Sequence, residues 1–294
     1  MSRRWLPAVI ACGLLGAGLP TAPALASGSR AVVAPVSAQA DAGTNLQGLG
    51  SHSWTTTTLS GAQTPAPLGG IDYLVPQGVD GPLPVVTMVA GFSDTRQSVR
   101  WLAERLASHG LLVQLVDSVT PIDPPTARAR ALVSAQDFLL TGSPVRTLVD
   151  PSRTALWGYS MGGGGALEAA QQLPGLDAVV AVFPWDASPR FPRITAPTLV
   201  VSGERDAVAV PAWYADPAYA SLTMPDRAYA MVAQASHPLP SHSTDPRLTE
   251  LSVAWLVDHL VGSPAAHAWR CPGPQVGVPV AGTAGYAQWR ATCP

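Results

Sequence analysis

The chain has 294 residues, of which 47% are hydrophobic and 12% charged, so it can bury a sizeable core and is not an intrinsically disordered polymer. Its 17 basic residues, all arginine, nearly balance 19 acids, and no lysine-rich arm or basic stripe points to nucleic acid. The length admits one large domain or two small ones, and the three cysteines are an odd number for an exported protein unless processing removes one.

Arg3 and Arg4 precede an apolar run from Trp5 to Leu19, and Ala24-Leu25-Ala26 then supplies the small-x-small pattern read by a signal peptidase. Residues 1–26 are therefore expected to be a secretory signal peptide, and the protein to be extracellular. A membrane anchor is disfavoured because Pro7 and Pro20 bracket a run shorter than the roughly 20 residues of a spanning helix. Ser2-Arg3-Arg4-Trp5-Leu6 loosely resembles a twin-arginine signal, so the export route stays open between the two pathways. The lipoprotein-like Val9-Ile10-Ala11-Cys12 comes too early for a full apolar stretch to precede it. Cleavage after Ala26 discards Cys12 and leaves 15 arginines against 19 acids, a net charge of −4. Cys271 and Cys293 then remain as a pair, which an oxidising compartment would bridge, with two free thiols as the alternative.

Residues 27–51, rich in Ala, Gly, Ser and Val without periodicity, read as a flexible leader. Runs of strand length follow at Ile71–Val75, Leu83–Val89, Leu111–Val116, Thr154–Trp157, Ala178–Phe183, Thr198–Ser202 and Tyr229–Val232. Helical patterns alternate with them at Arg96–Ser108, Thr126–Leu140, Met161–Gln172, Pro211–Leu222 and Pro246–Leu260. That alternation predicts one α/β domain over residues 52–294, a mostly parallel sheet with helices on both faces. The Gly- and Pro-rich tail from Cys271 is expected to be an irregular strap stapled by the disulfide.

Gly158-Tyr159-Ser160-Met161-Gly162 is G-x-S-x-G between a predicted strand and a predicted helix, the context of the nucleophile elbow in the α/β-hydrolase fold. Ser160 is the candidate nucleophile. In this fold the acid and the base follow in that order on loops after later strands. Asp206 leaves the strand Thr198–Ser202 and is favoured over Glu204; His237 follows the strand Tyr229–Val232 and is favoured over His242. Asp216 and Asp226 read as solvent-facing or helix-terminal, His259 and His267 as structural or solvated, and His52 and His109 precede the serine. The oxyanion donors are expected from the backbone of Met161 and of Phe92, in the loop after Leu83–Val89, with the Phe92 ring walling the acyl site. Only about fourteen residues separate the strand ending at Phe183 from Thr198, too few for a helical lid.

These motifs, with Leu106-Ala107-Ser108-His109-Gly110, Gly162-Gly163-Gly164-Gly165, Pro184-Trp185-Asp186, Ser236-His237, Val253-Ala254-Trp255-Leu256 and the Cys271 to Cys293 tail, resemble the bacterial, actinomycete-type cutinase and polyester hydrolase family, which includes poly(ethylene terephthalate) hydrolases. The resemblance places the triad on Ser160, Asp206 and His237, the oxyanion donors on Phe92 and Met161, and a cleft aromatic on Trp185. It departs from the family pattern at Phe92, at Val208-Ala209-Val210-Pro211, and at Tyr214 and Ala218. The expected function is a secreted, monomeric serine ester hydrolase acting on polymeric or small esters, with no metal, organic cofactor, nucleic acid or membrane anchor implied. A lipase or short-chain carboxylesterase would use the same machinery. A serine peptidase is disfavoured because no gating domain fits the length, and a dead binding protein because no triad member is broken.

Overall fold

A computed structural model describes residues 45–293, with only the backbone of His242. The expected signal peptide and the leader up to residue 44 lie outside the described residues. Nine strands were found in chain order: β1 (Trp54–Ser60), β2 (Leu68–Pro76), β3 (Leu83–Val89), β4 (Leu112–Ser118), β5 (Val149–Tyr159), β6 (Ala178–Val182), β7 (Thr198–Gly203), β8 (Arg227–Val232) and β9 (Tyr286–Ala291). The helices are α1 (Arg100–Ser108), α2 (Pro125–Thr141), α3 (Met161–Ala170), α4 (Ala215–Ser221), α5 (Leu239–His242), α6 (Pro246–Val261) and α7 (Pro264–Arg270). All strands join one sheet in the order β1-β2-β4-β3-β5-β6-β7-β8-β9.

Strands β3 to β8 pair in parallel, whereas β1, β2 and β9 are antiparallel at the two edges. The parallel strands are buried on both faces, which is why β6 reads as an unbroken apolar run and β3 and β7 as mainly apolar ones rather than alternating ones. One face packs on α1 and α6 through residues such as Leu102, Leu106, Leu251 and Leu256. The other packs on α2, α3 and α4 through Leu132, Leu139, Leu167 and Ala218. This is the mostly parallel α/β-hydrolase architecture. Residues 183–197, between β6 and β7, contain neither helix nor strand, so no lid is inserted there. The described residues fall within one compact unit, Ala38–Pro294. No helix among them is long and apolar enough to cross a membrane.

Three readings change. The end of the expected leader is docked: Leu46 packs on the core, Gln47 bonds Glu250 at 2.9 Å and the Gly50 amide donates to the Ser108 hydroxyl at 2.8 Å. The tail is less irregular than expected, because β9 adds to β8 and buries Tyr286, whose hydroxyl donates to Glu250 at 2.6 Å. The Cys271–Cys293 bridge, with Cα atoms 5.9 Å apart, joins the end of α7 to the residues just after β9. The third change is at Arg96–Ser108, where the first four residues form a 3-10 turn before α1.

Helix ends follow local chemistry. Asp245 caps α6 by accepting from the Arg247 and Leu248 amides, Pro246 occupies its first turn, and Gly262 closes it at φ 74°, a conformation glycine adopts without steric cost.

Candidate active site

The loops leaving the carboxyl ends of β3 to β8 gather along one edge of the sheet, where open α/β folds place their crevice. Strand β5 ends in a sharp turn at Ser160, which sits at φ 56°, ψ −123° immediately before α3. A non-glycine residue there is strained, and the surroundings hold it. Its amide donates to Val182 at 2.9 Å, and its carbonyl accepts from Gly164 and Trp185, both at 3.0 Å. The tightness of the turn explains the flanking glycines: a Cβ on Gly158 would lie 2.0 Å from the Gly162 carbonyl oxygen, and one on Gly162 would lie 2.4 Å from that of Ala90.

The Ser160 Oγ lies 2.8 Å from His237 Nε2, and His237 Nδ1 lies 2.7 Å from Asp206 Oδ2. A carboxylate at Nδ1 places the neutral ring's proton there and leaves Nε2 to accept from the serine hydroxyl. Asp206 is itself fixed: its Oδ1 accepts from the Val208 and Ala209 amides, both at 2.8 Å, and its side chain is fully buried. Glu204, the competing acid, turns instead to the Gln234 amide at 2.7 Å and so braces the loop that leads to His237. Tyr159, the variable residue of the elbow, donates its hydroxyl to the His237 carbonyl at 2.8 Å, and its ring lies 5.4 Å from the imidazole. Burial pushes the Tyr159 phenol well above its ordinary value, so it remains a donor.

The cleft above Ser160 holds about 170 Å³ and is lined by Phe92, Tyr159, Met161, Trp185, Val208 and His237. Phe92 is 52% exposed at its rim. The loop carrying it comes close because residue 91 is glycine; a Cβ there would sit 2.8 Å from that of Ser160. Met161 opens α3, so its amide has no acceptor within the helix. The Trp185 ring packs 5.6 Å from that of Tyr214, while Ala218 is buried in the core and does not shape the cleft. Arg128, buried in α2, donates to the carbonyls of Ala90, Pro121 and Asp123 and ties the Phe92 loop to the loop after β4.

Ser160, Asp206, His237, Phe92, Met161 and Trp185 are thus brought together. Tyr159, Val208 and Arg128 also belong to the site and carry no motif of their own; the only signals were the elbow position of Tyr159 and the departure at Val208. His52 and His109 lie beside Gln77 and Gly48. Asp216 forms an exposed ion pair with Arg290 at 2.9 Å. Asp226 departs from expectation: it is buried and pairs with Arg270 at 2.8 Å, because α7 folds back over the start of β8.

A family model described as PET hydrolase-like matches residues 33–294. Cutinase est2 of Thermobifida alba is 38% identical over 71% of this chain and 69% of its own length. The bis(hydroxyethyl) terephthalate hydrolase of Streptomyces coelicolor is 33% identical over 83% of this chain and 77% of its own. Cutinase 2 of Thermobifida cellulosilytica is 36% identical over 71% and 79%.

Proposed function

The chain belongs to the PET hydrolase-like family and is a carboxylic ester hydrolase, and from that premise we propose that it is an exported enzyme cleaving polyesters through an acyl-enzyme on Ser160. The observation that carries this reading is the continuous hydrogen-bonded line from Ser160 through His237 to Asp206, at 2.8 and 2.7 Å, beneath an open, aromatic-walled cleft.

In this mechanism His237 Nε2 takes the Ser160 proton as Oγ attacks the ester carbonyl, and Asp206 holds and stabilises the resulting imidazolium. The amides of Phe92 and Met161 receive the oxyanion, aided by the positive end of α3. Nε2 returns the proton to the leaving alcohol; water, activated by the same imidazole, then releases the acid. Trp185 and Phe92 flank the acyl unit and suit a flat aromatic acid. Without a lid between β6 and β7, a chain anchored in a solid can reach the serine. The reading includes a cleaved signal peptide at residues 1–26 and a leader ahead of the hydrolase domain, consistent with a disulfide that persists in oxidising surroundings.

The test is turnover of poly(ethylene terephthalate) film and cutin beside emulsified long-chain triglyceride, using the processed protein. Release of acid monomers from the polyesters supports the reading. Inertness on every polyester with good turnover of triglyceride would reassign the enzyme as a lipase.

A further inference from the structure

Asp186 follows the cleft tryptophan and is buried, 6% exposed. Its Oδ1 accepts from the Ser188 amide at 2.7 Å, but its Oδ2 is buried with no donor. That oxygen faces α3, lying 3.2 Å from where a Cβ on Gly164 would be. One turn further along the same face stands the half-buried Glu168, whose carboxyl interacts electrostatically with that of Asp186. Two carboxylates cannot satisfy one another: each offers only acceptors, and a buried negative charge beside a half-buried one is repelled by it.

We propose that Glu168 and Asp186 share a single proton, and that this carboxyl–carboxylate bond pins the Pro184–Asp186 loop to α3, making the pair a positioning device for the Trp185 wall of the cleft. The proposal rests on the polyester-hydrolase reading of the site. It resolves the orphaned Oδ2, since a protonated Glu168 donates to it. Trp185, the residue before this anchor, is also held by its amide bond to the Ser160 carbonyl at 3.0 Å and by its ring contact with Tyr214.

The charged groups facing Glu168 are Asp186, from the loop after β6, and Arg130, from α2. Arg130 is exposed, and Arg128, the buried α2 cation, spends its guanidinium on backbone carbonyls. Burial and then Asp186 push Glu168 up to about 7, with Arg130 opposing them. Near neutrality the shared proton passes to solvent, the two carboxylates repel, and the loop loses its hold on α3. The acyl-transfer machinery does not include either residue, so the effect falls on recognition of a bulky aromatic ester and not on a small acyl group.

The experiment compares KM for bis(2-hydroxyethyl) terephthalate with KM for p-nitrophenyl acetate from pH 6 to 9, in the native enzyme, Glu168→Gln and Glu168→Ala. In the native enzyme the ratio should rise roughly three- to tenfold across neutrality, the worth of one aromatic contact. Glu168→Gln keeps a donor at every pH and should hold the ratio low and flat; Glu168→Ala should be high and flat. In parallel, pH-difference infrared spectra, which need no turnover, should show a carboxylic acid carbonyl band that disappears across neutrality in the native enzyme and is missing in Glu168→Gln. The same pH dependence in Glu168→Gln as in the native enzyme, or a titrating acid band that survives the substitution, would overturn the proposal. Failure of Ser160→Ala to abolish p-nitrophenyl acetate hydrolysis would instead overturn the underlying reading, and the infrared result would stand apart from it.

Discussion

In the proposed mechanism, reactivity depends on an orientation that Asp206 is held to deliver. Its carboxylate takes two backbone amides on one oxygen and the imidazole on the other, so the side chain has no alternative partner to turn toward. Asparagine could accept the same amides but would present an NH₂ or a neutral oxygen to Nδ1. In the proposed mechanism this favours the wrong tautomer and removes the charge that stabilises the imidazolium. Asp206→Asn should therefore lower kcat for a soluble ester by roughly 10³- to 10⁴-fold with little change in KM, as steady-state kinetics would measure. Ser160, Asp206 and His237 were legible in the sequence because chain order and strand-end position constrain them. Tyr159, Arg128 and Glu168 were not, since each acts through a partner distant in sequence: the His237 carbonyl, the Ala90 carbonyl and Asp186.

Among the elements, the C-terminal helices are tied to the sheet by a buried charge cluster. Arg270 at the end of α7 bonds Asp226 at 2.8 Å and Asp258 of α6 at 2.6 Å, and its guanidinium lies over the Trp255 ring. His259 completes the cluster, its ring 4.6 Å from Trp255 and its buried Nε2 3.6 Å from Asp226 Oδ2, too long for a hydrogen bond. Burial, then the neighbouring Arg270, lowers His259 to about 4, against the attraction of Asp258. The unfolded chain binds this proton near the ordinary value of about 6.5, the folded chain only near 4, so between those values unfolding takes up a proton. Stability should fall as pH drops through that window, by roughly 3 kcal/mol from this group if His259 alone is counted. Burial raises Asp226, which acts in the opposite sense over the lowest part of the range. His259→Phe should flatten the decline of Tm between pH 6.5 and 4; an unchanged slope in thermal scans would contradict the assignment. The parallel strands were readable because double burial makes them continuously apolar. The edge strands were not: β1 is Trp-Thr-Thr-Thr-Thr-Leu-Ser with exposed threonines, and β9 buries only Tyr286 and then alternates half-buried and exposed positions inside a Gly- and Pro-rich tail.

Over the whole molecule, the loops at the carboxyl edge of the sheet carry apolar side chains that a water-soluble surface would ordinarily avoid. Phe92, Val119, Ile122, Val208 and Trp213 are 52%, 62%, 63%, 58% and 68% exposed, and all follow parallel strands at that edge. Phe92 and Val208 line the open cleft itself, and exposed apolar side chains on the loops of that edge suit contact with a solid apolar polymer. The double variant Ile122→Ser/Trp213→Ser should bind and erode polyester film several-fold less while hydrolysing a dissolved ester at the native rate; equal losses on both substrates would show that these side chains support the fold instead. The central claim is covalent catalysis by Ser160, and its most direct measurement is active-site titration with diethyl p-nitrophenyl phosphate followed by peptide mass spectrometry. The account predicts one phosphoryl group per chain on Ser160, with complete loss of ester hydrolysis, and neither labelling nor activity in Ser160→Ala. Labelling at another residue, or a Ser160→Ala variant that still turns over esters at the native rate, would contradict it.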